Sequence, residues 1–137
     1  MIQRTLALIK PDGVRKGAFG AIKDRYQNAG LKIIVERVGF LSEDVVVNLY
    51  QEHCGKFYFD ALVLAMISGP VVALLLEGED AVAVVRKLNG ATDPAKAEPG
   101  TIRHDFRSGG GPFNTVHSSD SPESATREIE VVFFPVA

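Results

Sequence analysis

The chain has 137 residues, 46% of them hydrophobic and 23% charged, enough to bury one core and unlike the composition of a disordered polymer. Fifteen basic against seventeen acidic residues leave a net charge of −2, which removes any global electrostatic case for nucleic acid or a membrane surface, so an anion site has to be a local cluster. A single cysteine, Cys54, excludes an internal disulfide, and no apolar stretch reaches the roughly 18 residues of a membrane span.

The start, Met1-Ile2-Gln3-Arg4-Thr5, lacks a basic region followed by an apolar run and a cleavage site, and with the lone cysteine this points to a cytoplasmic protein. Leu6 to Ile9 is an apolar run stopped by Lys10-Pro11-Asp12-Gly13, which predicts a buried strand ending in a turn with Lys10 at the strand end. Phe19, Ile22, Tyr26 and Ala29 recur at helical spacing, and Gly30 supplies a stop. Leu31 to Phe40, rich in β-branched residues, reads as a second strand. Ser42, followed by Glu43 and Asp44, opens a helix carrying Val46, Leu49 and Tyr50. Leu62, Val63 and Met66 mark another short helix, broken at Ser68-Gly69-Pro70. Val71 to Leu76 is the unbroken apolar run of a central strand, and Gly78-Glu79-Asp80 is predicted to start a helix ending near Gly90.

From Asn89 to Phe113 the periodicity disappears over 25 residues with five glycines and three prolines, and a loop of that length between ordered elements points to function. Thr115-Val116 gives a short last strand. Ser121 then reads as an N-cap with Pro122 in the first helical position, and the helix places Ala125, Ile129, Val132 and Phe133 on one face. Four strands interleaved with helices suit a ferredoxin-like α+β sandwich, with helices packed on a four-stranded antiparallel sheet in a split βαβ arrangement. The competitor, flavodoxin-like winding, needs a phosphate loop after the first strand, and Lys10-Pro11-Asp12-Gly13-Val14-Arg15-Lys16-Gly17 matches neither glycine-rich nucleotide motif.

The helix start at Ser121 puts free N–H groups and a positive dipole end a few residues beyond His117, a favourable place for a phosphoryl anion. Projected on that helix, Glu128 falls at the margin of the apolar stripe, where it can reach inward to one ring nitrogen of His117 and leave the other as nucleophile; a solvated glutamate is the competing reading. Lys10, Arg86 and Arg103 stand at element ends or in the long loop, where they either converge on a polyphosphate or remain solvated surface charges. Tyr58 and Phe59 offer either an aromatic face to a base or core packing. His53, His104 and His117 lack zinc-site spacing, so any metal is expected as Mg²⁺ carried by nucleotide phosphates.

Five ordered blocks resemble the nucleoside diphosphate kinase family over nearly the whole chain. They are Arg4-Thr5-Leu6-Ala7-Leu8-Ile9-Lys10-Pro11-Asp12-Gly13-Val14; Ser68-Gly69-Pro70-Val71-Val72 with Leu76-Glu77-Gly78; Gly90-Ala91-Thr92-Asp93-Pro94; Pro99-Gly100-Thr101-Ile102-Arg103; and Asn114-x-x-His117-x-Ser119-Asp120-Ser121-Pro122-Glu123-Ser124-Ala125 with Arg127-Glu128-Ile129. The resemblance implies a single such domain over residues 1–137, a ferredoxin-like fold, and a ping-pong transfer of the γ-phosphoryl group from ATP or another nucleoside triphosphate to a nucleoside diphosphate. By that match His117 is the nucleophile and Glu128 its orienting partner. Lys10, Tyr50, Arg86, Thr92, Arg103 and Asn114 fall on positions that contact phosphates, sugar or the reacting group, Tyr58 and Leu62 on those that hold the base, and Ser119 and Asp120 on the polar support of the histidine.

The chain departs from the usual pattern at Phe57 (usually Pro), Tyr58 (usually Phe), His104 (usually small) and Ser118 (usually Gly or Ala), and Gly109-Gly110-Gly111 makes the loop before Asn114 about one residue longer. These departures bear on base preference and rate. They also leave a second reading, a nucleotide-binding regulatory module of the same fold without turnover. The family assembles as homo-oligomers, and the ending Phe134-Pro135-Val136-Ala137, shorter than an extended arm, leaves tetramer and hexamer open.

Overall fold

The computed structural model describes residues 1–134. Residues 135–137, on which the expectation about a short C-terminal arm falls, lie outside the described residues. The strands are β1 (Ile2–Ile9), β2 (Lys32–Gly39), β3 (Val71–Glu79) and β4 (Val116–Ser118). The helices are α1 (Pro11–Arg15), α2 (Phe19–Asn28), α3 (Glu43–Leu49), α4 (Phe59–Ile67), α5 (Ala81–Asn89), α6 (Ile102–Asp105) and α7 (Pro122–Phe133). The sheet runs β2-β3-β1-β4, and every neighbouring pair is antiparallel. Strand β3 enters between β1 and β2, the split arrangement expected of a ferredoxin-like sandwich.

Both faces of the sheet are covered, which explains why β1 and β3 read as unbroken apolar runs instead of alternating ones. Leu6, Leu8, Ala73 and Leu75 join Val46, Leu49, Leu62, Met66 and Phe133 from α3, α4 and α7 on one side. Ala7, Ile9, Leu74 and Leu76 join Ile22, Tyr26, Val85 and Ile102 from α2, α5 and α6 on the other. Adjacent residues of one strand therefore belong to different cores, as period-2 alternation of side chains requires.

Several boundaries differ from the sequence expectation. Strand β1 begins at Ile2 instead of Leu6, because Ile2–Thr5 pairs with Leu76–Glu79, a partner far along the chain that local pattern does not reveal. The turn expected at Lys10-Pro11-Asp12-Gly13 is one turn of helix, with Pro11 in its first position and Val14 N–H bonded to the Lys10 carbonyl. Gly78 does not start a helix but continues β3, paired with Gln3 of β1, and a Cβ there would stand 2.9 Å from Leu31 Cδ2. Helix α5 begins at Ala81, after Asp80 turns the chain through a left-handed φ of 50°. The long loop contains the single turn α6 and a 3₁₀ turn, Pro94–Lys96. Thr115 lies outside the last strand, at φ 74°.

Candidate active site

Strand β4 pairs with β1 so that His117 lies opposite Leu8, two residues before Lys10 leaves the end of β1. Helix α7 follows, started by Ser121, whose side chain accepts from Ser124 N–H, and by Pro122 in the first turn. The cleft is lined as far as Asp120, the residue immediately before the N-cap of α7. What α7 delivers is Glu128, 3% exposed, whose Oε1 lies 2.7 Å from His117 Nε2. Ser119 Oγ, fully buried, donates to the same oxygen at 3.0 Å. A carboxylate accepts, so Nε2 is the donor to it, and in the neutral ring Nδ1 keeps its lone pair. Tyr50, which ends α3, sets its ring edge-on to the imidazole at 5.2 Å.

Cations from three elements converge on this cleft, which has a volume of about 1310 Å³ and is lined by Lys10, Arg86, Arg103, Asn114 and His117 among others. Lys10 Nζ donates to the Pro112 carbonyl at 2.6 Å and to Asn114 Oδ1 at 2.8 Å. Burial pulls its pKa down to about 8; Asp12 opposes that shift and Arg103 adds to it. Arg103 donates to the carbonyls of Gly90 at 2.8 Å, Val116 at 2.9 Å and Asn114 at 3.3 Å. Its burial lowers the pKa, yet the guanidinium stays a cation with N–H groups to spare. Arg86, in the last turn of α5, reaches the Asp120 carbonyl at 3.4 Å. Such a group of cations beside a histidine with one free nitrogen suits a chain of phosphates.

A family profile described as nucleoside diphosphate kinase matches residues 3–136. The chain belongs to the nucleoside diphosphate kinase family. It is 46% identical over 134 residues to the nucleoside diphosphate kinase of Methanocorpusculum labreanum, covering 98% of this chain and 89% of that one. Identity to the Archaeoglobus fulgidus protein of the same name is 48% over 132 residues, covering 96% and 87%. Among solved structures, the Halobacterium salinarum nucleoside diphosphate kinase in complex with CDP superposes with a TM-score of 0.93 at 40% identity, covering 98% and 89%. The Aquifex aeolicus nucleoside diphosphate kinase gives 0.92 at 40%, covering 97% and 96%. Membership in the nucleoside diphosphate kinase family makes the chain a phosphotransferase acting on nucleotides.

The remaining nucleoside diphosphate kinase positions named from sequence line the same cleft: Tyr50, Tyr58, Leu62, Thr92 and Asp120. Asn114 Nδ2 donates to the Thr92 carbonyl at 3.2 Å, which ties the two cleft walls together. Tyr50 has its hydroxyl 3.7 Å from Met66 Sδ, and burial, with Glu128 nearby, pushes its phenol far up, so it remains a neutral O–H. Asp120 is exposed and bonds Arg86 through its carbonyl, not the histidine. Sequence reasoning missed the carbonyls of Pro112, Gly90 and Val116, which carry no side-chain signal. It also missed Asp12, whose Oδ2 accepts from Thr115 N–H at 2.9 Å and pins the left-handed residue two positions before His117. The Pro11-Asp12-Gly13 turn signal was the available hint.

Proposed function

We propose that His117 Nδ1 is the phosphoryl carrier of this nucleoside diphosphate kinase. Nδ1 attacks the γ-phosphorus of ATP or another nucleoside triphosphate, an N–P bond forms as the bond to the bridging oxygen breaks, and the nucleoside diphosphate leaves with that electron pair. A second nucleoside diphosphate then attacks the phosphohistidine through its terminal phosphate oxygen and restores the imidazole. The observation that carries the reading is the 2.7 Å contact of Glu128 with Nε2, which holds the ring in the tautomer that exposes Nδ1 and stabilises the positive charge the ring acquires on attack.

Lys10, Arg86 and Arg103 stabilise the charge spread over the transferring group, and Asn114 and Thr92 position the phosphates and sugar. Ser119 fixes the Glu128 carboxylate, and the Tyr50 ring packs edge to face with the imidazole while its hydroxyl is held by Met66. Tyr58 and Leu62 receive the base, where stacking accepts any base. These cations suit phosphate oxygens, and Asp120, exposed at the cleft, suits a water of a phosphate-borne Mg²⁺. When bound, that ion draws charge off the phosphates.

Residues 1–137 act as one domain in this reading. A homo-oligomer, tetramer or hexamer, fits an edge strand β2 that leaves Val38 63% exposed with Phe40 beyond it at 72%. Among the described residues no helix is long and apolar enough to cross a membrane, and the lone Cys54 fits a cytoplasmic setting. The decisive experiment is γ-phosphate exchange between ATP and GDP by wild type beside His117→Ala. Wild type should turn over and carry an acid-labile, alkali-stable phosphate; label retained in the variant would remove His117 as carrier.

A further inference from the structure

Phe57 is 99% exposed, so its ring contributes nothing to either core, yet it lines the nucleotide cleft beside Tyr58 and Leu62. A single exposed apolar side chain needs no explanation by itself. This one is the outer end of a row of rings. Phe57 meets Tyr58 at 5.4 Å and 87°, Tyr58 meets His53 at 5.5 Å, His53 meets Tyr50 at 6.0 Å, and Tyr50 meets His117 at 5.2 Å. The Tyr58 hydroxyl lies 2.6 Å from His53 Nδ1, so the ring that Phe57 abuts is braced, not free to swing. The backbone is also held: Cys54 N–H bonds the Gln51 carbonyl, Lys56 N–H that of His53, and Phe59 N–H that of Lys56, while Gly55 takes φ +86° to make the bend. The chain therefore places a large apolar ring at the cleft's rim beside a braced aromatic platform, at 87° to the Tyr58 ring.

We propose that Phe57 is a specificity-determining residue that closes the outer end of the base site, adding apolar contact to a nucleobase stacked on Tyr58. Because the added contact grows with ring area, it favours purine over pyrimidine nucleotides. The inference rests on the assignment of Tyr58 to the base, and it goes beyond that assignment in naming a second ring and a direction of preference.

Nucleoside diphosphates bind the unphosphorylated protein without turnover, so calorimetric titration with Mg·ADP and Mg·CDP reads the site directly. Phe57→Ala is expected to weaken ADP about fivefold, the low end of the effect of removing a stacking ring, and CDP less. The thermal midpoint should stay at the wild-type value, and Phe57→Trp should restore ADP affinity. Unchanged ADP affinity in Phe57→Ala, while Tyr58→Ala weakens binding, overturns the inference and leaves the base assignment standing. No change in either variant overturns both. Equal losses for ADP and CDP overturn the purine preference, and a changed oligomeric state in Phe57→Ala shows the ring to be a contact between copies instead.

Discussion

Glu128 Oε1 approaches His117 Nε2 to 2.7 Å from a helix that packs on the same sheet, so a buried carboxylate decides which imidazole nitrogen is free. Glu128→Gln keeps the shape but supplies an amide that can turn its NH₂ toward Nε2. That orientation makes Nε2 an acceptor and moves the ring proton to Nδ1, where it blocks attack. Phosphohistidine formation, followed by rapid quench with labelled ATP, should slow about a hundredfold or more, as when the orienting acid of a catalytic triad is amidated. A rate within twofold of wild type would mean that Glu128 does not set the tautomer.

Lys10 should give the activity a basic limb. Its pKa of about 8 in the free protein means that the ammonium facing the phosphates is present below that pH and lost above it. Bound phosphates favour the charged form, so kcat/KM should fall above about pH 8 while kcat holds to higher pH. Stability moves the other way. The unfolded lysine titrates near 10.5 and the folded one at about 8, so between those values the unfolded state binds more protons and stability rises with pH. Urea melts of wild type and Lys10→Met at pH 7, 9 and 10.5 should show this gain in wild type relative to the variant; parallel curves would count against a depressed Lys10.

Gly90 links the fold to the phosphate site, because its carbonyl holds Arg103 at 2.8 Å while its own backbone sits at φ 85°, ψ −174°, a region open essentially to glycine alone. A Cβ there would also stand 2.6 Å from the Thr101 side chain. Gly90→Ala should therefore cost about 3 kcal/mol, from backbone strain and the clash together, and lower nucleotide affinity by displacing Arg103. Thermal unfolding and calorimetric titration with ADP check the two effects separately. A variant as stable as wild type would show that the turn relaxes without cost.

Much of this fold is legible in the chain because its signals are local. The cap and proline at Ser121-Pro122 start α7 where expected, Ser42 caps α3 by accepting from Val45 N–H, and the runs Leu6–Ile9 and Val71–Leu76 lie wholly within central strands. The place of Glu128 at the margin of the apolar stripe follows from 100° per residue on a capped helix, and its burial against His117 is what the packing adds. The expectations that missed at the start of β1 and at Gly78 concern segments whose structure depends on distant partners, whereas the two short turns in the long loop are capped locally by Asp93 and Thr101 and are too brief for periodicity to show. Ile2–Thr5 carries too little apolar pattern to announce a strand until β3 pairs with it, and Gly78 reads as a helix start until it is seen paired with Gln3.

The residue types by themselves determined the chemistry on offer: a histidine, a carboxylate two turns into a helix, three cations at element ends and an aromatic pair. Tertiary structure alone decided that Nε2 is the nitrogen held and Nδ1 the one left free, because that depends on the packing of α7 against β1, which brings Glu128 to His117 on β4. It alone decided how Lys10 and Arg103 are oriented, since their partners are carbonyls of Pro112, Gly90, Val116 and Asn114, and a main-chain oxygen is the same in every residue until the fold aims it.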